Sequence, residues 1–197
     1  MRRKLSGMHF LIKMIYGLED KLAIAIQRLK ERREYVAKPC LYYGKPRVVN
    51  QNMDVIATRL WDDARNNYSS SLIENKYTGC TMVFNYELMK LICQKNSDFI
   101  VMHDEWIHKS CLVAGGITYW DDDVHMLYRR HGGNVTDVDK ITVFHRIYAH
   151  IRSFQKKACP RSKIVVSLYD CYKEQMTQKN LQLTELVVNY KKIYELD

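Results

Sequence analysis

The chain has 197 residues, 47% of them apolar and 27% charged, with 31 Lys and Arg against 22 Asp and Glu for a formal charge of +9. Only eight Gly and three Pro exclude collagen-like and low-complexity classes, and 14 Tyr in a chain this apolar exclude wholesale disorder. No run approaches the about 18 consecutive apolar residues that a membrane-spanning helix needs, and the six Cys are scattered without a C-x-x-C pair, as buried thiols of a reducing compartment are.

The charge is concentrated at one end. Residues 1–50 hold 12 Lys and Arg against 4 Asp and Glu, whereas the remaining residues are nearly neutral. Arg2, Arg3 and Lys4 head this basic arm, and its apolar run is too short for a secretory leader. Such an arm suits an anionic surface, a membrane or RNA, and equally suits a solvated helix face.

Leu18, Leu22, Ala25, Ile26, Leu29 and Val36 recur at helical spacing and predict an amphipathic helix from Leu18 to Val36, ended by Pro39. Cys40-Leu41-Tyr42-Tyr43 reads as a strand, with Arg47-Val48-Val49 and Val55-Ile56-Ala57 as shorter extended pieces. Residues 61–78 read as loop with a little helix. Gly79 to Asn85 reads as a buried strand opened by glycine, and Asn85 as the N-cap of a helix burying Leu88, Leu91 and Ile92. After the strand-like Phe99-Ile100-Val101, a helix from Asp104 to Ala114 places Trp106, Ile107, Ser110, Cys111 and Ala114 on one side and ends at Gly115-Gly116.

Ile117 to Trp120 and Val124 to Arg129 read as two strands of a hairpin around the acidic turn Asp121-Asp122-Asp123. Beyond Asn134 the pattern is helical. It continues through Ile141, Phe144, Tyr148, Ile151 and Phe154, is broken by the basic link Lys156 to Lys163, and resumes with Leu168, Tyr172, Leu183, Leu186, Val187, Tyr190 and Tyr194. No internal repeat is visible.

Two constellations can carry chemistry. Met102-His103-Asp104-Glu105-Trp106 puts carboxylates at a strand-to-helix edge, where Asp104 or Glu105 could act as a general base positioned by His103, or where Asp104 could simply cap the helix. Tyr128-Arg129-Arg130-His131-Gly132-Gly133-Asn134 offers forked guanidinium donors beside glycines, the chemistry of a phosphate or diphosphate cradle, or else a solvated turn. Asp121-Asp122-Asp123 contains an Asp-x-Asp spacing that could grip Mg²⁺ or Mn²⁺, but it reads more simply as turn chemistry, and no metal site is assigned. Walker, G-x-G-x-x-G, G-x-S-x-G and zinc-ligand spacings are absent.

In this order, Gly79-Cys80-Thr81-Met82-Val83-Phe84-Asn85, His103-Asp104-Glu105-Trp106 and Leu127-Tyr128-Arg129-Arg130-His131-Gly132-Gly133-Asn134 resemble the second half of family 2 glycosyltransferases, in particular the bacterial rhamnosyltransferase-like branch. The resemblance covers about residues 19–136, including Asp20-Lys21-Leu22 and Lys38-Pro39-Cys40-Leu41-Tyr42. It implies a partial GT-A-like α/β fold, a mixed sheet followed by C-terminal helices.

The activity it implies is inverting transfer of a sugar, with rhamnose one candidate, from a nucleotide-sugar donor to a saccharide acceptor in cell-surface polysaccharide synthesis. The place implied is the cytoplasm, at the inner face of the cell membrane, with peripheral membrane association and no nucleic-acid partner. Asp104 matches the base; Arg129 and His131 match positions on the donor diphosphate; Gly79, Cys80, Thr81, His103 and Trp106 match the acceptor side, with Trp106 stacking on a sugar ring.

The family's nucleotide-binding half, with its metal-holding Asp-x-Asp, should precede residue 19, where this sequence has 18 residues. Residues 1–136 are therefore expected to be a truncated catalytic domain, or one part of a split or decayed enzyme, and 137–197 a helical extension. The Mg²⁺ or Mn²⁺ site of the family is expected to be incomplete and the isolated chain impaired. The alternative expectation is a non-catalytic binding module whose basic arm meets a membrane surface or RNA.

Overall fold

The computed structural model describes residues 15–18, 20–58, 66–73, 78–94, 97, 99, 100, 102–129 and 160–194. Its elements are β1 (Ile15–Gly17), α1 (Lys21–Lys30), β2 (Cys40–Gly44), β3 (Arg47–Val49), β4 (Val55–Thr58), α2 (Tyr68–Ile73), a 3₁₀ turn (Gly79–Thr81), β5 (Val83–Phe84), α3 (Tyr86–Cys93), α4 (His103–Val113), β6 (Ile117–Asp121), β7 (Met126–Arg129), α5 (Pro160–Tyr172) and α6 (Gln178–Tyr194). The class is α/β with two small mixed sheets, in the orders β5-β2-β6 and β1-β7-β3-β4.

One feature of the topology governs the rest. β2 runs parallel to β6, from Cys40 opposite Ile117 to Gly44 opposite Asp121, and β3 runs parallel to β7, from Arg47 opposite Leu127 to Val49 opposite Arg129. The segments 40–49 and 117–129 thus travel side by side, leave the first sheet together and enter the second together. Both strands bend at the same level, at Gly44-Lys45-Pro46 on one and Asp122 to His125 on the other.

β2 is covered on both faces, which is why its sequence is apolar without alternation. Leu41 and Tyr43 face α4 in the larger core cluster, while Cys40 and Tyr42 face Ala25 and Leu29 of α1. Asn85 locks the start of this strand: its Oδ1 accepts from the backbone N–H of Cys40 (2.9 Å) and, as the α3 N-cap, from Leu88 (3.1 Å). Its Nδ2 donates to the carbonyls of Tyr35 and Lys38.

α4 is buried nearly all round, polar residues included: Asp104, Glu105, His108, Lys109 and Ser110 are each at most 9% exposed. A one-sided apolar stripe was the wrong description of this helix, because its polar face is covered too and its charges are paired internally. Lys109 Nζ lies 3.0 Å from Glu105 Oε1, one turn earlier, and donates to the Ser71 carbonyl. His108 packs edge-on against Tyr43 and lies 3.3 Å from Asn66 Oδ1; burial, with Lys109 beside it, lowers its pKa to about 3. α4 ends at Val113 with Ala114 as its C-cap, and Gly115 follows with a φ of 69°, which glycine adopts without strain.

Several expectations are corrected. The first helix runs from Lys21 to Lys30, not Leu18 to Val36; turns follow it, in which Tyr35 packs on the Ala25 and Leu29 cluster and Val36 is 83% exposed. Gly79 to Asn85 forms a 3₁₀ turn and a two-residue strand. The described residues Phe99 and Ile100 lie in no strand, so α4 does not start at a strand-to-helix edge.

β6 and β7 form no hairpin: they belong to different sheets, because each finds a parallel partner 77 and 80 residues earlier in the chain, respectively. Pro160 opens α5, where its fixed φ suits the first helical position, instead of lying in a linker. On α6, Leu186 and Tyr190 are exposed while Thr184 and Val188 are buried, a rotation of the expected stripe.

The helices over 160–194 pack on the rest of the described fold. Ile164, Leu168, Cys171 and Tyr172 of α5 share the core cluster of Trp106, Cys111 and Val113, and Asn180 of α6 donates to the Leu112 and Val113 carbonyls at the end of α4. The expected helix over Ile141 to Phe154 lies outside the described residues, as does the basic arm at Arg2, Arg3 and Lys4.

Candidate functional site

The 3₁₀ turn Gly79–Thr81 is the hinge of the site. On one side it meets the first turn of α4: the Gly79 N–H donates to Asp104 Oδ2 (3.2 Å), and Asp104 Oδ1 accepts from the Glu105 N–H (2.8 Å). Asp104 is 5% exposed, and it sits where the positive end of the helix dipole favours an anion. It does not cap α4, whose N-cap is Met102 without a side-chain bond.

Space at Gly79 is tight. A Cβ at this position would lie 2.5 Å from His103 Nε2 and 3.1 Å from the Asp104 Cβ. His103 itself is exposed, its ring lying over Gly79.

On its other side the turn meets the bend of the parallel strands. Lys21 Nζ, at the start of α1, donates to the Cys80 carbonyl (2.7 Å), and burial lowers the pKa of this ammonium. Lys21 and Thr81 line a small cavity, about 10 Å³, together with Tyr42, Lys45, Asp123 and His125. At its edge the Tyr42 hydroxyl donates to Asp121 Oδ2 (2.8 Å), and burial followed by that bond raises the phenol's pKa well above its ordinary value.

Asp121, Asp123 and His125 come together here. One ligand-capable atom from each lies within 4.8 Å of the others. Asp121 is buried, Asp123 exposed and His125 between the two. Asp121 Oδ1 accepts the Asp123 N–H (2.9 Å), while Asp121 Oδ2 stands 3.6 Å from His125 Nε2, and on the far side of the ring Asp20 Oδ1 stands 3.6 Å from Nδ1. His125 Nε2 is buried and makes no hydrogen bond.

The strand-bend cluster was not assigned as a metal site from sequence, yet its signal was there: Asp121, Asp123 and His125 are spaced by two, which in extended chain puts them on one face.

The remaining predicted residues divide. Gly79, Cys80, Thr81, His103 and Asp104 are brought together as described. Trp106 is not available to stack on a sugar, because it is 5% exposed and packs against Tyr172 with ring centroids 5.7 Å apart. Arg129 is half-buried at the end of β7, opposite Val49, and His131 lies outside the described residues. Cys80 is half-buried beside the site, and no disulfide forms among Cys40, Cys80, Cys93, Cys111 and Cys171.

Among the described residues no helix is long and apolar enough to cross a membrane. No family model matches the chain, and no similar protein was found among curated sequences or solved structures.

Proposed function

We propose that the chain acts in glycosyl transfer, moving a sugar from a nucleotide-sugar donor to a saccharide acceptor, as its resemblance to family 2 glycosyltransferases implies. The observation that carries this reading is the contact between two of the resembling segments, Gly79–Thr81 and His103-Asp104, which are separate in sequence and joined by the Gly79 N–H on the Asp104 carboxylate. A nucleophile's proton has to be taken by a fixed base, and Asp104 is fixed from two sides.

In this reading Asp104 is the general base. A carboxylate has about four lone-pair positions, and two of those on Asp104 accept backbone N–H groups, which leaves lone pairs for the acceptor hydroxyl. The hydroxyl oxygen attacks the anomeric carbon as Asp104 takes its proton, and the nucleoside diphosphate leaves from the opposite face. Arg129 and His131 stabilise the charge that develops on the diphosphate. His103, exposed beside Gly79, and the backbone of Gly79, Cys80 and Thr81 line the acceptor side; Trp106 serves the core.

In the family a bound Mg²⁺ or Mn²⁺ adds further charge stabilisation to the departing diphosphate. Such a reaction takes place at the cytoplasmic face of the membrane, where growing saccharides are held.

The test is a donor panel, scored by release of nucleoside diphosphate with and without saccharide acceptors, on wild type and Asp104→Asn. Acceptor-dependent release in the wild type that falls at least about 100-fold in Asp104→Asn supports the assignment. Full turnover in Asp104→Asn removes Asp104 as the base, and because the donor-binding half is expected to be missing, it is failure to bind any saccharide acceptor that removes the reading.

A further inference from the structure

We propose that Asp121, Asp123 and His125 form a binding site for one first-row divalent cation, set in the bend of the parallel strand pair. The inference rests on the geometry of this bend and not on the glycosyl-transfer reading.

Four observations carry it. First, donor atoms from three ligand-type side chains converge within 4.8 Å, an Asp-Asp-His set of mixed oxygen and nitrogen donors. Second, the Asp121 Oδ2 to His125 Nε2 separation of 3.6 Å is too long for a hydrogen bond. It is close to the spacing, about 3.0–3.5 Å, of two donors that share a metal at about 2.1 Å. A buried imidazole nitrogen with no hydrogen-bond partner is costly unless something binds it.

Third, the opposite nitrogen of the same ring faces a carboxylate: Asp20 Oδ1 lies 3.6 Å from Nδ1. Asp20 is the N-cap residue of α1 yet makes no side-chain capping bond, so its carboxylate stands free to face His125. A carboxylate behind a ligating histidine orients the ring, and Asp20 stands in that place at 3.6 Å, one short adjustment from hydrogen-bond distance. Fourth, a small cavity opens beside Asp123 and His125 with room for one ion or water, and it lies beyond the carboxyl ends of parallel strands, where α/β sheets place ligands.

The charge balance agrees. Four carboxylates (Asp20, Asp121, Asp122 and Asp123) surround the bend against two ammonium groups, and both of these are engaged: Lys45 with Asp122 (3.3 Å) and Lys21 with the Cys80 carbonyl (2.7 Å). Two carboxylates and one imidazole suit a first-row divalent ion better than Ca²⁺, which seeks six to eight oxygens. Asp123 is exposed, so the ion keeps open positions to solvent.

The experiment uses the full chain, stripped with a chelator and titrated calorimetrically with Mn²⁺ alone, an ion that the six cysteines do not attract strongly. One saturable equivalent is expected, weakened at least tenfold in Asp123→Asn and in His125→Gln and unchanged in Asp122→Asn, whose carboxylate points outward. Asp123 is exposed, so its variant folds and decides the matter if His125→Gln does not. Absence of saturable binding, or equal affinity in Asp123→Asn, overturns the proposal.

Discussion

Near the two ends of the 3₁₀ turn Gly79–Thr81 the buried carboxylates of Asp104 and Asp121 each accept two hydrogen bonds, but their neighbours differ. At the α4 end, Asp104 is buried and both its oxygens accept backbone N–H groups at 2.8 and 3.2 Å. At the strand bend, Asp121, Asp123 and His125 face one another across gaps of up to 4.8 Å, and a buried imidazole nitrogen is left unbonded. A carboxylate tied by backbone donors is positioned at the cost of its freedom; a cluster held slightly apart has room for something between its members. The first arrangement suits a base fixed against a substrate hydroxyl, and the second, with a buried imidazole nitrogen unbonded, suits a metal ion.

The comparison breaks most visibly through stability. Removing the ammonium from the α4 region, Lys109→Met, strands the Glu105 carboxylate in the core and is expected to cost about 3–5 kcal/mol in denaturant unfolding. By contrast Asp123→Asn, at the bend, should lie within about 0.5 kcal/mol of wild type, while weakening Mn²⁺ binding at least tenfold. A large loss in Asp123→Asn would mean that the bend cluster is structural, like Asp104.

Acid should act on the α4 region next. His108 has a folded pKa of about 3, below its unfolded value near 6.5, so the unfolded chain takes up a proton that the folded chain refuses. The stability from this group is complete above about pH 6.5 and declines at up to about 1.4 kcal/mol per pH unit as the pH falls toward 3. His108→Phe should flatten that slope in unfolding curves measured across pH 4–7, and an unchanged slope would assign the acid sensitivity elsewhere.

The smallest effect sharpens the contact between the turn and α4. Gly79→Ala pushes a methyl into His103 and Asp104 and should cost about 1–2 kcal/mol. His103→Ala in the same chain should recover a measurable part of that, as expected for side chains in contact. Strict additivity of the two substitutions would show that the ring does not lie over Gly79.

Local features of this fold were legible in the sequence. The strands over 40–44, 47–49 and 55–58 carry aromatic and β-branched residues in short runs, and Asn85 announces the α3 start by its cap chemistry. What could not be read was pairing over distance. The acidic run Asp121 to Asp123 looks like a hairpin turn because turn chemistry is local, whereas the parallel partners of β6 and β7 lie far upstream and leave no mark near them.

The same blindness hid the bend cluster. The spacing of Asp121, Asp123 and His125 was visible, but Asp20, Tyr42 and Lys21, which give it a setting, come from distant segments. The burial of Glu105, His108 and Lys109 was equally hidden, since charges on a helix ordinarily face water and only the cover from α2, β2 and α5 reverses this.

The central claim is that the bend, through His125, takes a divalent cation. The most direct measurement is a pulsed electron paramagnetic resonance spectrum of the full chain loaded with one equivalent of Mn²⁺. The account predicts coupling of the ion to one imidazole nitrogen, lost in His125→Gln; an Mn²⁺ signal without nitrogen coupling, or one that survives in His125→Gln, would contradict it.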